Sequence, residues 1–292
     1  MRRASLCRAI AGVSSRSRGD GRGLGCDAFY AEKKSTSTSS TDTFNLTNTL
    51  MSLDCWASIL GNCAKGKSRE HYISDGIFDG ESVTAIGLSW CRHEPVTIGM
   101  NSAVAKILCG KHNSALSDFD AEAAKLSKFL ASNVLDQPLK ESTITLNGRR
   151  LEKWALKTFL NLGYLRGLHR EQHNLLEPPP HLVRHIFHDE AVADGVGLYF
   201  ITGNISNENF GEGLWWNVIQ NPQRLEEIFG MAFIFFGVRF VVSIPPIRAE
   251  EKIAALGKVK DFDYSSAKIV YRPSNISLTS STAGLKQIDF EW

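Results

Sequence analysis

The chain has 292 residues, 43% of them apolar and 22% charged, a composition that fits a soluble globular protein with room for one large core or two modest ones. Its net charge of +2 is unevenly spread: residues 1–50 hold eight Lys/Arg against four Asp/Glu, whereas residues 51–292 hold 25 against 27. The near-neutral remainder excludes a bulk polycationic coat, so a nucleic-acid partner would need a local basic stripe.

In chain order, residues 1–50 are rich in Arg, Ser, Thr and Gly without an apolar period, and "KKSTSTSSTDT" is of low complexity. They are expected to be a disordered, basic, Ser/Thr-rich tail. The first nineteen residues carry five Arg and no acid, which resembles a transit peptide; Met51 is the next methionine, and an over-extended start is the reading we favour. Residues 51–135 form the segment of chemical interest. Within it, "SDFDAEAAKLSKFLAS" predicts a helix with Ala121, Ala124, Leu126 and Phe129 near 3.6 spacing and Ser117 or Asp118 as N-cap.

Residues 136–292 are expected to be an α+β domain with an antiparallel sheet. "TITLNGRRLEKWALKTFLNLGY" predicts a strand, an Asn-Gly turn and an amphipathic helix with Leu151, Trp154, Ala155, Thr158, Phe159 and Leu162 on one face. Arg150, Lys153 and Lys157 make a basic line beside that face, read as a solvated helix surface. "EPPP" breaks the chain before a short helix, "HLVRHIFH", whose His181, His185 and His188 share a face. Leu182 stands directly after His181, where a zinc-protease helix needs Glu, so an exposed polar face is expected there. "GVGLYFITGN", "SAKIVYRP" and "KQIDFEW" read as strands, and "GEGLWW" puts Trp215 and Trp216 beside Asn217. The stretch 228–247, "IFGMAFIFFGVRFVVSIPPI", holds Arg239 near its middle and predicts a buried hairpin turning near Gly237, not a membrane span.

Six cysteines in this length do not make a disulfide framework. Cys63 and Cys109 flank "SREHYIS" and "LCGKHNSALSDFD", a placement that suits metal ligation in a reducing compartment. Cys55, Cys63, Cys109 and His112 have the ligand types of a tetrahedral zinc site; the Cys109-x-x-His112 half is well spaced, whereas seven residues separate Cys55 from Cys63. Glu70 directly before His71 offers a metal ligand beside a general base.

Together Cys63, Glu70, His71, Cys109, His112 and Asn113, with "SDFDAEA" as a helix start, resemble the HNH, or ββα-metal, nuclease family over about residues 51–130. The resemblance implies an HNH-like module with a zinc knuckle (Cys55, Cys63, Cys109 and His112) ahead of the α+β domain. It implies metal-dependent phosphodiester hydrolysis: His71 deprotonates water, Asn113 orients the site, and Glu70 with Asp120 holds Mg²⁺ or another divalent cation. Nucleic acid, DNA foremost, is the expected partner, with no membrane and a cytoplasmic location. Leu60 stands where the family's first knuckle cysteine is expected, so either Cys55 substitutes or the knuckle has only three ligands; Glu70 replaces the more usual Asp or His, and Ala121 falls near the family's last histidine, leaving Asp118 or Asp120 as ligand. These departures support an alternative, a non-catalytic zinc-supported module that binds nucleic acid or protein.

Overall fold

The computed structural model describes residues 7–10, 55–78, 80–86, 91, 94–134, 142–164, 178–202, 214–220, 228–235, 237–244, 268–280 and 284–292. In chain order its elements are β1 (Cys7–Ile10), β2 (Lys67–His71), β3 (Ser82–Ile86), β4 (Val96–Gly99), β5 (Val104–Cys109), α1 (Gly110–Ser114), α2 (Ser117–Val134), β6 (Ser142–Asn147), α3 (Gly148–Tyr164), α4 (Pro180–His188), β7 (Gly197–Thr202), β8 (Leu214–Gln220), β9 (Ile228–Phe235), β10 (Val238–Ser243), β11 (Lys268–Tyr271), β12 (Asn275–Ser280) and β13 (Gly284–Glu291). The fold is mixed α+β, and most strand pairs are antiparallel.

Eight strands form one antiparallel sheet in the order β11-β7-β10-β9-β8-β1-β3-β4. The apolar run 228–247 supplies its centre: β9 and β10 pair as the expected hairpin, with Gly237 at φ 86° in the turn. In a second sheet β13 pairs antiparallel with β12 and parallel with β6, and β2 pairs with β5 in a third. Among the described residues, no helix is long and apolar enough to cross a membrane.

Two expectations change here. Four residues of the supposed tail, Cys7–Ile10, form β1 between β8 and β3, because the facing edges of those strands offer unpaired backbone groups. The rest of residues 1–50 lies outside the described residues. The expected boundary at 135/136 does not separate two cores either. One apolar cluster runs from Cys55, Trp56 and Ile77 through Leu126 and Trp154 to Phe233, Phe240 and Phe290.

The reason is α3. It begins at the Asn147-Gly148 turn from strand to helix, where Asn147 Oδ1 accepts from Arg150 N–H at 2.9 Å. Gly148 is required because a Cβ there would lie 2.6 Å from the Trp292 ring. From Leu151 to Leu162 every side chain is buried, the polar ones included. Trp154 stacks on Phe235 and contacts Phe233 and Phe240 of the sheet, while α2 packs on another side. The line of Lys153 and Lys157 is therefore not a solvated face. Burial forces each cation onto a carboxylate.

Glu152 shows the same constraint. Its carboxylate accepts two bonds from Arg272, at 2.8 and 3.0 Å, and one from Leu198 N–H at 2.9 Å. Next to it Lys153 Nζ meets Asp189 at 2.6 Å. Arg272 (φ 43°) and Asp189 (φ 54°) are the two non-glycine residues with left-handed backbone among those described, and both reach for α3. Burial raises the Glu152 carboxyl, but His185, Arg272 and the Leu198 amide outweigh it and hold the group below its ordinary 4.5. A depressed carboxyl contributes stability above its unfolded value and loses it as pH falls through the folded one. Glu152→Gln should therefore melt well below the wild type at pH 7. The gap should narrow as the pH drops below about 4.5, a window read from thermal melts of both proteins across pH.

Candidate metal centre

Four ligands expected at one zinc converge. A single 3-10 turn (Ser58–Leu60), closed by Gly61 at φ 70°, folds the segment between Cys55 and Cys63 back on itself. Trp56 N–H donates to Ile107 O at 3.0 Å and pins that turn beside β5. Cys109 ends β5 and His112 lies in α1, so the Cys-x-x-His half closes over a strand-to-helix corner. The three thiols and the imidazole offer ligand atoms that all lie within 4.8 Å of one another.

The distances fit a metal. His112 Nδ1 stands 3.3 Å from Cys109 Sγ, 3.4 Å from Cys55 Sγ and 3.7 Å from Cys63 Sγ. Zinc bonds near 2.3 Å to sulfur and 2.0 Å to nitrogen give tetrahedral S···N edges of about 3.5 Å. On the far side of the ring, Nε2 lies 2.7 Å from Asn62 Oδ1. An amide oxygen only accepts, so the proton sits on Nε2 and the Nδ1 lone pair faces the three sulfurs. One lone pair can satisfy at most one thiol, whereas a cation satisfies all four groups. The cluster can hold a metal such as zinc.

The protonation chemistry agrees. Burial pushes the Cys55 thiol up to about 12, and burial also raises Cys63. Burial raises Cys109 as well, but backbone amides of His112 and Ala64 and the neighbouring thiols outweigh it, leaving that thiol below its ordinary value. Burial lowers His112, which keeps the imidazole neutral and ready to ligate. A bound cation would favour the thiolates that burial alone disfavours.

Compared with known proteins, the chain matches no protein-family model, no curated protein and no solved structure.

Glu70 and Asp120, expected around a divalent cation, do come together, but around Lys157. The ammonium lies 2.7 Å from Glu70 and 2.5 Å from Asp120, and it is fully buried. Asn161 Nδ2 donates to Glu70 and to His71 O, both at 3.2 Å, and Asn161 Oδ1 accepts from Trp56 Nε1 at 2.9 Å. Ser74 Oγ donates to Asp120 and accepts from Trp154 Nε1 at 2.9 Å. Burial lifts the Glu70 carboxyl above its ordinary value despite Lys157, and the nearby Asp120 carboxylate adds to the rise.

His71 follows on β2 with its Nε2 buried and without a hydrogen-bond partner. Asn113 does not reach that imidazole by any described bond. Its Nδ2 donates to Ser68 Oγ at 2.8 Å and to Arg69 O at 3.4 Å, tying α1 to the strand ahead of the pair. Asp118 pairs instead with Arg150 at 3.0 Å, on the surface.

Elsewhere, His185 of α4 donates from Nδ1 to Glu190 O at 2.8 Å and faces Glu152, while His181 and His188 are exposed. Phe187 of the same helix packs on His112 and on Trp56, with ring centroids 5.0 and 5.6 Å apart. Trp216 is buried in β8 and Trp215 half-buried; the Asn217 side chain lies outside the described residues. Sequence reasoning missed Lys157, Asn161 and Asn62. For Asn62 the signal was its place beside Cys63; for the α3 residues spacing held none.

Proposed function

We propose that this chain is a zinc-stapled, non-catalytic nucleic-acid-binding protein on an HNH-like scaffold. The scaffold reading is supported by β2 pairing antiparallel with β5, by α1 following β5, and by Asn113 bracing the strand that carries Glu70 and His71. The observation that carries the function is the charge around the knuckle. Within residues 61–74 and 104–113, Lys65, Lys67, Arg69, Lys106 and Lys111 are exposed, and the one carboxylate, Glu70, is buried against Lys157. Five exposed cations in these two short segments, with exposed Asp75 next along the chain, are a local excess of positive charge of the kind phosphate contacts require.

Lys157 argues against metal-dependent hydrolysis. A divalent cation between Glu70 and Asp120 would have to displace a fully buried ammonium already bonded to both. The competing reading, hydrolysis with Mg²⁺ and His71 as general base, is favoured by the unpartnered His71 Nε2.

One pair of measurements separates them. Plasmid incubated with Mg²⁺ or Mn²⁺ should remain supercoiled, with or without EDTA. Binding to duplex DNA should weaken steeply with salt, with a slope of roughly −4.5 if all five cations reach phosphates. Replacing Lys65 or Lys106 with Ala should each reduce that slope by about one. Nicking that needs metal and is lost in His71→Ala would establish the hydrolytic reading instead. A salt-independent interaction, or none, would remove nucleic acid as partner.

A further inference from the structure

We propose that the Cys55–Cys63–Cys109–His112 cluster is a peroxide-sensitive clasp, in which Cys63 is the thiolate attacked and oxidation releases both the metal and α4. The inference rests on the zinc-holding part of the reading above, not on nucleic-acid binding. The four ligands are unequally protected: Cys55, Cys109 and His112 are buried, whereas Cys63 is exposed. Cys63 is also the thiol farthest from the imidazole, at 3.7 Å. A small oxidant such as hydrogen peroxide therefore meets Cys63 first. Both other sulfurs lie within 4.8 Å of it, so closing a disulfide needs side-chain rotation and little backbone movement.

The chemistry balances with peroxide as the two-electron oxidant. Cys63 thiolate attacks one peroxide oxygen; the O–O bond breaks, a sulfenic acid forms, and hydroxide leaves to become water. The thiolate of Cys55 or Cys109 then attacks the sulfenic sulfur, forms the S–S bond and expels a second hydroxide, which also becomes water. Two thiolates are oxidised, one peroxide is reduced, and two protons come from solvent. A disulfide is a poor ligand for a divalent cation, so the metal leaves.

The release reaches α4 because that helix sits on the ligand itself. Phe187 packs on the His112 ring and on Trp56, and Trp56 in turn holds Asn161 of α3. Once His112 is no longer fixed by the metal, Phe187 loses a rigid platform. The knuckle that sets the positions of Lys65, Lys67 and Lys111 is loosened by the same event.

The test uses the full chain. Zinc content is measured first; a protein that neither contains nor takes up zinc overturns the zinc reading and this proposal together. Zinc-loaded protein is then treated with hydrogen peroxide beside a chromophoric zinc chelator, and the thiols are alkylated and mapped by mass spectrometry. The expected result is release of the bound zinc, a disulfide containing Cys63, faster hydrogen exchange in α4, and full reversal by dithiothreitol with added zinc. Cys63→His, which keeps a zinc ligand and removes the exposed thiol, should hold zinc and release it under peroxide roughly tenfold more slowly. Zinc retained by the wild type under peroxide, a Cys55–Cys109 disulfide with Cys63 alkylated, or unchanged exchange in α4 would each overturn the clasp while leaving the zinc reading intact.

Discussion

Replacing Lys157 with Met should cost about 3–5 kcal/mol, because it leaves Glu70 and Asp120 without the one cation they share. For a chain of this size that is a fall in melting temperature of roughly 5–8 °C. The loss is not that of a surface ion pair, since Lys157 is fully buried and Glu70 nearly so. The two carboxylates would face each other across the vacated volume and bind a divalent cation the wild type excludes. Mn²⁺ should therefore raise the melting temperature of Lys157→Met or Lys157→Ala and leave the wild type unchanged. Calorimetric scans with and without Mn²⁺ check this. A wild type stabilised by Mn²⁺, together with an indifferent variant, would show that Lys157 is not what occupies the carboxylate pair.

The second large effect is loss of one of the candidate zinc ligands. Cys109→Ser should abolish stoichiometric zinc and loosen far more than the knuckle. Structural zinc in isolated knuckle-sized peptides contributes about 10–16 kcal/mol of apparent binding energy. Here the four ligands come from the turn after Cys55, from Cys63, and from the β5–α1 corner. Phe187 extends the same unit to α4. Metal analysis should find about one zinc per chain in the wild type and little in the variant. Hydrogen exchange should quicken across Pro180–His188 and in β2, whereas β9 and β10, packed on Trp154, should stay protected. Rapid exchange in β9 and β10 as well would mean that the zinc supports the whole core.

The strand signals of the second half were legible because a buried hairpin depends on local order alone: β-branched and aromatic residues on either side of a glycine. β9 and β10 needed nothing else. The Cys109-x-x-His112 half of the metal centre was legible for the same reason, both ligands lying on one strand-to-helix corner. Cys55 was poorly legible, since its distance from Cys63 becomes a ligand spacing only after a 3-10 turn and Gly61 reverse the chain.

What the sequence determined by itself was composition, element types and the kinds of ligand present, each set by near neighbours. What only the tertiary structure decided was the meaning of the charges on α3. In sequence, Lys153 and Lys157 match any solvated helix face, because periodicity records which residues are apolar and not whether a second layer covers the polar side. Once α2, the large sheet and β2 close around that helix, water is excluded. Desolvation then compels Lys157 to take Glu70 and Asp120 as partners, and the place expected for a metal ion holds an ammonium instead.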